Sequence, residues 1–169
     1  MTKEDFLSLL ETTQRAAGKL ISLVPPDKVE WRPARQLPSF GEMIAAMVQD
    51  MEVIKALFVN TLTEWDFDAE ELENPVVKSM TSQEALREWE TDGAAVRQQL
   101  RSLERKEFRD KMLQAPWGLT ASAEVLLTVM LLQRKAAANM ALYQYLKMIG
   151  VPVDTGTLYF GEAPEPDGA

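Results

Sequence analysis

The chain has 169 residues, of which 46% are hydrophobic and 26% charged, a composition typical of one soluble globular domain. Its 18 basic and 26 acidic residues give a net charge of −8, so the basic surplus of nucleic-acid-binding proteins is absent. Cysteine and histidine are absent too, which excludes disulfides, thiolate nucleophiles and imidazole bases or metal ligands.

The N-terminal sequence MTKEDFLSLLETTQ carries acidic residues where a signal peptide carries basic ones. No apolar run approaches the roughly 20 residues of a membrane span. We therefore expect a cytoplasmic protein that binds neither membranes nor nucleic acid.

The first predicted helix covers residues 3–23, where apolar side chains recur at helical spacing. Pro25 and Pro26 then end it, because proline lacks the backbone N–H that a helix interior needs. Ser39 followed by Glu42 is a capping-box pattern, and it predicts a second helix from about residue 40 to 60.

The third predicted helix begins with a second capping box, formed by Thr81 and Glu84, and extends to about residue 106. The connection before it gathers six acidic residues between positions 64 and 73. We interpret this segment as a solvated loop rather than a cation site, because it lacks the central glycine of a calcium loop.

The fourth predicted helix begins at Thr120 or Ser122 and ends near Ile149, with Gly150 as the residue that terminates it. Its first part, residues 123–132, is apolar nearly all round, so one neighbouring face would not bury it. A helix of this kind is usually central or lies at an oligomer interface, and we expect a homodimer formed through it.

Four helices and no convincing strands predict an all-α antiparallel four-helix bundle with a strand content near zero. We assign residues 1–160 to this single domain and residues 161–169 to a disordered C-terminal tail.

Two charged residues lie where the helical pattern calls for hydrophobic ones. At 100° per residue, Arg134 falls inside the apolar sector of the fourth helix and Asp50 inside that of the second. That sector of the fourth helix contains Leu127, Met130, Leu131, Ala138, Ala141, Tyr145, Met148 and Ile149. Either Arg134 extends to the surface beside an Asp50 that lies near a groove, or the two form a buried ion pair.

Two tryptophans lie in connections rather than in helices. Trp31 precedes the second helix and Trp117 precedes the fourth. They either anchor their loops or cover the end of the bundle towards which Asp50 and Arg134 point. Met47, which shares a helical stripe with Asp50, is expected to pack in the core rather than bind a ligand.

Three segments resemble the DinB/YfiT-like proteins: residues 23–33 (LVPPDKVEWRP), 39–47 (SFGEMIAAM) and 142–153 (LYQYLKMIGVPV). In element order the resemblance covers nearly the whole chain. It implies a four-helix bundle, a homodimer and a divalent metal on three histidines, together with metal-dependent chemistry that includes thiol-cofactor-dependent transferases and isomerases.

Aligning the flanking segments places those three histidine positions at Ala46, Arg134 and Ala138. None of the three side chains is a metal ligand, so the resemblance implies a lost metal site. We hypothesise that an ion pair between Asp50 and Arg134 takes the place of the metal.

These expectations favour a protein that uses no metal or cofactor and acts in small-molecule binding or interaction, with a small anionic molecule as a possible ligand. The alternative is a divergent thiol-cofactor-dependent, transferase-like enzyme, in which Arg134 holds an anionic substrate and Tyr145 or Asp50 handles a proton. A carboxylate-based metal site is a third alternative. The candidate pocket comprises Asp50, Arg134, Ala46, Ala138, Met47, Tyr145, Trp31 and Trp117.

Overall fold

The computed structural model describes residues 1–59, 78–115 and 118–164. Its helices, numbered in chain order, are α1 (Lys3–Ser22), α2 (Phe40–Val59), α3 (Ser82–Ser102), α4 (Arg105–Asp110), α5 (Ala123–Leu127), α6 (Arg134–Met148) and α7 (Thr155–Phe160). The strands are β1 (Met112–Gln114) and β2 (Thr120–Ser122). A 3-10 turn, Pro26–Lys28, follows α1, and a π-helical segment, Thr128–Gln133, joins α5 to α6. The described residues are mostly helical, which confirms the all-α class.

Both predicted capping boxes are present. The Glu42 N–H donates to Ser39 Oγ over 3.2 Å, and the Ser39 N–H donates to the Glu42 carboxylate over 2.7 Å. Thr81 and Glu84 exchange the same two bonds at the start of α3. Each cap satisfies backbone N–H groups that the helix leaves unpaired, and a cap of this kind contributes about 1 kcal/mol.

The long helices pack against one another around a continuous cluster of buried hydrophobic side chains. α2 packs along α3 and also contacts α6, while α1 contacts α3, α6 and α7. The α1 face in this core includes Phe6, Leu10 and Leu20, each with no exposed surface. This arrangement places one face of α2 beside the start of α6, where the candidate site lies.

The third helix ends earlier than the sequence predicts. α3 stops at Ser102, and Leu103 has an extended backbone before the short helix α4 begins. The break brings Phe108 into the core, where its ring centroid lies 5.3 Å from that of Phe6. The prediction of one helix to about residue 106 was therefore wrong, because a tertiary contact outweighs helix continuity.

A small hairpin follows α4, so the expectation of almost no strand also needs correction. β1 and β2 pair antiparallel, with Leu113 opposite Ala121. Leu113 is buried and its two neighbours in β1 are exposed. A three-residue strand is too short for this alternation to stand out in the sequence.

The fourth helical segment is continuous from Ala123 to Met148. Ser122 caps its start by accepting a bond from the Val125 N–H, and Gly150 follows its end with a φ of +79°, both as predicted. Inside it, the π-helical segment contains more residues per turn than an α-helix. The predicted rotation of 100° per residue therefore fails beyond residue 133.

The consequence is a shift of about one residue in the buried face of α6. Lys135, Asn139, Leu142 and Leu146 are buried there. Arg134, by contrast, is exposed, and Met148 is 64% exposed. The predicted apolar sector is therefore wrong at Arg134 and Met148. Its other members are buried or pack against the core, namely Leu127, Met130, Leu131, Ala138, Ala141, Tyr145 and Ile149.

By length and composition alone, Ala123–Met148 is the one described helix that is apolar enough to cross a membrane. Glu124, Arg134 and Lys135 interrupt this helix, so it is not an unbroken apolar run. The core helix of a soluble protein passes the same test, so localisation in the cytoplasm stays a prediction.

Residues assigned to the C-terminal connection form a further short helix, α7, which packs on α1. The Arg15 side chain donates from Nε to the Phe160 carbonyl over 2.8 Å. Residues 161–164 follow this helix, and the Glu162 N–H donates to the Gly156 carbonyl. The rest of the predicted tail, 165–169, and the acidic segment 64–73 lie outside the described residues.

Candidate functional site

A groove of about 520 Å³ lies between α2 and the start of α6. Five of the predicted pocket residues line it, namely Ala46, Met47, Asp50, Arg134 and Ala138. The three residues from α2 share one face of that helix, and so do the two residues from α6. Because α2 and α6 pack together, the five side chains meet here.

Asp50 and Arg134 form the ion pair that the sequence suggests, with 3.1 Å between Arg134 Nη2 and Asp50 Oδ1. The pair is not buried, however, because the Arg134 side chain is 51% exposed and that of Asp50 is 21% exposed. The structure thus combines parts of the two alternatives: the residues are paired, and the pair lies at a groove with its guanidinium towards the surface.

The buried charge at this site is Lys135, which the sequence reasoning missed. Its side chain is 1% exposed, and Nζ lies 3.6 Å from Asp50 Oδ2. Nζ also donates a hydrogen bond to the Met47 carbonyl oxygen and lies 4.8 Å from the centre of the Trp89 ring. The three contacts come from α2 and α3, so Lys135 connects three helices.

Burial lowers the pKa of Lys135 to about 8, and the Asp50 carboxylate acts in the opposite direction. A usable signal for Lys135 was present in the sequence. Leu131, Lys135, Asn139, Leu142 and Leu146 form an unbroken series with spacings of three and four residues. That series competes with the one through Arg134, and only the π-helical segment decides between them.

The second acidic residue of the groove, Glu42, is already engaged. It accepts bonds from the Ser39 N–H and from Arg32 Nη2, the latter over 3.2 Å. These bonds, first of all the one from the Ser39 backbone, hold the pKa of Glu42 below its ordinary value. Glu42 is therefore ionised at neutral pH and paired with a cation from the preceding connection.

Tyr145 and Trp31 do not line the groove, although we placed both in the candidate pocket. Their ring centroids lie 5.7 Å apart in an edge-to-face arrangement, and Phe40 completes the aromatic cluster. Trp31 therefore anchors its loop, which was one of the two alternatives. Burial raises the pKa of Tyr145, so its phenol is neutral at physiological pH. Trp117 lies outside the described residues.

The three positions that the resemblance assigns to metal ligands lie together, since Ala46, Arg134 and Ala138 all line the groove. Two methyl groups and a guanidinium offer a metal no lone pair. A divalent cation would also have to displace two positive side chains from Asp50. Among the described residues, no group of three acidic side chains could hold a metal ion. The residues of this groove do not fit a metal.

A second cavity, of about 640 Å³, lies between α1 and α3. It contains none of the predicted residues, and its main cations have partners. Arg97 donates to the Gln14 side-chain oxygen, and Arg15 donates to the Phe160 carbonyl. The groove beside Arg134 is the candidate site because it, and not this cavity, contains five of the predicted residues.

Comparison with known proteins assigns no family to the chain. No protein-family model matches it. A search of curated proteins likewise finds no match. The geometry of the groove is therefore the main basis for a function.

Proposed function

We propose that the protein binds a small carboxylate-bearing molecule in the groove between α2 and α6. We further propose that it is a cytoplasmic, homodimeric four-helix bundle of the DinB/YfiT type that has lost metal chemistry. The observation that carries the first proposal is the sharing of one carboxylate, Asp50, by two cations, Arg134 and Lys135.

The charge balance of the groove supports an anionic ligand. Arg134 and Lys135 are opposed by Asp50, while Glu42 is balanced by Arg32. The local surplus is therefore one positive charge, in a protein whose overall net charge is −8. A positive groove on an acidic protein attracts and orients anions against the general field of the molecule.

Arg134 has the donors that a second carboxylate requires. A guanidinium carries five N–H groups, and among the described residues Arg134 contacts only Asp50, through one nitrogen. Its half-exposed position leaves the other donors accessible from the groove. Arginine and a carboxylate commonly form two parallel hydrogen bonds, which fixes the orientation of the ligand.

The walls of the groove favour a ligand with a short apolar part. Met43, Met47, Ala46 and Ala138 are hydrophobic residues that line the groove beside the charged ones. Met47 is 2% exposed and belongs to the core, as the sequence predicts. A volume of about 520 Å³ is within the range of pockets that take small molecules. The expected ligand is a short carboxylic acid with a hydrocarbon portion.

Binding without chemistry is favoured over the transferase alternative by the positions of the two proposed proton carriers. Tyr145 is neutral and packs against Trp31 away from the groove, and Asp50 faces two cations. Tyr145 is therefore out of reach of a substrate in the groove, and Asp50 is held by two cations before any substrate binds.

Calorimetric titration tests the proposal with straight-chain carboxylates from propanoate to hexanoate, each compared with the alcohol of the same length. We expect the wild-type protein to bind a carboxylate and not its alcohol. Arg134→Gln should weaken binding by about 10-fold or more, because a charge-assisted bidentate contact is lost. The matched control Arg97→Gln alters the other cavity and should leave the affinity unchanged. Equal affinity in Arg134→Gln, or loss of binding in Arg97→Gln alone, would overturn the proposal.

A further inference from the structure

We propose that Lys135 forms a reversible imine with a 2-oxo acid whose carboxylate is bound by Arg134. This inference rests on the proposed anion-binding groove and specifies the class of its ligand. It assigns to Lys135 a role as nucleophile, and to Asp50 a role as carrier of the proton that imine formation moves.

The first support is the convergence of two adjacent side chains on one carboxylate. Arg134 contacts Oδ1 of Asp50 over 3.1 Å, and Lys135 contacts Oδ2 over 3.6 Å. In a 2-oxo acid the carboxylate carbon and the ketone carbon are bonded neighbours. A ligand whose carboxylate is held by Arg134 therefore brings its ketone towards Lys135, so the two cations match the two functional groups of this ligand class.

The second support is the environment of the amine. Lys135 is almost fully buried, yet both of its polar partners, Met47 and Asp50, belong to the groove wall. Lys135 does not itself line the groove, so the imine requires its flexible four-carbon chain to rotate and carry Nζ from these partners into the groove. Burial also lowers the pKa of Lys135 to about 8. Roughly a tenth of the molecules would then carry the neutral, nucleophilic amine at pH 7, far more than for an ordinary lysine.

The chemistry balances with groups that are present. The neutral Nζ forms a bond to the ketone carbon, the π electrons move to oxygen, and the ammonium proton passes to Asp50. Asp50 returns this proton to the oxygen, which gives a carbinolamine. Asp50 then transfers the remaining N–H proton to the hydroxyl group, which leaves as water while the C=N bond forms. Hydrolysis reverses each step, so neither an oxidant nor a reductant is required.

The experiment uses the full-length wild-type protein with pyruvate as the probe and cyanoborohydride to reduce the imine. We expect an increase in intact mass by one pyruvate, less one water and plus two hydrogens. Peptide mapping should place the adduct on Lys135, with a yield about 10-fold or more above that of any other lysine. Excess lactate, which has the carboxylate but no ketone, should protect Lys135.

Two variants complete the design. Lys135→Met should abolish the adduct, whereas the matched control Lys147→Met removes an exposed lysine from the same helix and should leave the yield unchanged. Random labelling of surface lysines would overturn the inference even if Lys135→Met did not fold, because the mapping uses the wild-type protein. Binding of pyruvate and lactate without any adduct on Lys135 would overturn the imine but leave the proposed function intact. Binding of neither would overturn both.

Discussion

Replacing Asp50 separates the contributions of its two cationic partners. In Asp50→Ala the buried Lys135 ammonium loses its only carboxylate among the described residues but keeps the Met47 carbonyl and the Trp89 ring. Breaking a fully buried pair costs about 3–5 kcal/mol. Because the Asp50 side chain is 21% exposed, we expect the free energy of unfolding to fall by about 2–3 kcal/mol at pH 6.5.

Arg134→Gln removes the other partner and should cost less than about 1 kcal/mol, since the Arg134 side chain is half exposed and its loss leaves no buried charge unpaired. Urea denaturation followed by far-UV circular dichroism measures both values. Asp110→Ala breaks an exposed surface pair with Arg109 and is the control, with no measurable change expected in the free energy of unfolding. Equal losses in Asp50→Ala and Arg134→Gln would refute the reasoning, because they would make Arg134 and not Lys135 the main partner of Asp50.

Three further predictions concern pH, metal and assembly. Because the pKa of Lys135 is about 8 in the folded protein and 10.5 ordinarily, the unfolded chain binds more protons between these values. The free energy of unfolding of the wild type, relative to that of Lys135→Met, should therefore rise across this pH interval by up to about 3 kcal/mol. Denaturation experiments measure it, and a difference that does not change with pH would contradict the burial of a charged amine. Elemental analysis of protein purified without a histidine tag should give less than about a tenth of an equivalent of metal, whereas stoichiometric metal would revive a carboxylate site. Light scattering at micromolar concentration should give twice the chain mass of 19.0 kDa. Val125→Glu should shift the protein towards monomer, because Val125 is 52% exposed on α5. A monomeric wild type would contradict the dimer prediction.

Local signals in the sequence predicted most of the helical structure. The caps at Ser39 and Thr81 and the termination at Gly150 depend on bonds between residues only a few positions apart, so their patterns are visible without the fold. The break after α3 was not visible, because it depends on the packing of Phe108 against Phe6 from the other end of the chain.

The pairing of Asp50 with Arg134 was predictable from the sequence, but the buried Lys135 beside them was not. Ala46, Asp50 and Arg134 come together as expected, because the helical register of α2 is regular and Arg134 begins α6. The π-helical segment changes the phase of the residues that follow it, and a fixed rotation per residue cannot anticipate that change. For this reason the buried cation is Lys135 and the exposed one is Arg134.

Methyl NMR of protein labelled with ¹³C at the methionine methyl groups tests the central claim most directly. Met43 and Met47 line the proposed carboxylate groove, whereas Met112 and Met148 are exposed at other positions. Titration with hexanoate should shift the Met43 and Met47 signals along saturable curves and leave Met112 and Met148 in place, and hexanol should shift none of them. Unchanged Met43 and Met47 signals at saturating hexanoate, or equal shifts with hexanol, would contradict carboxylate binding in this groove.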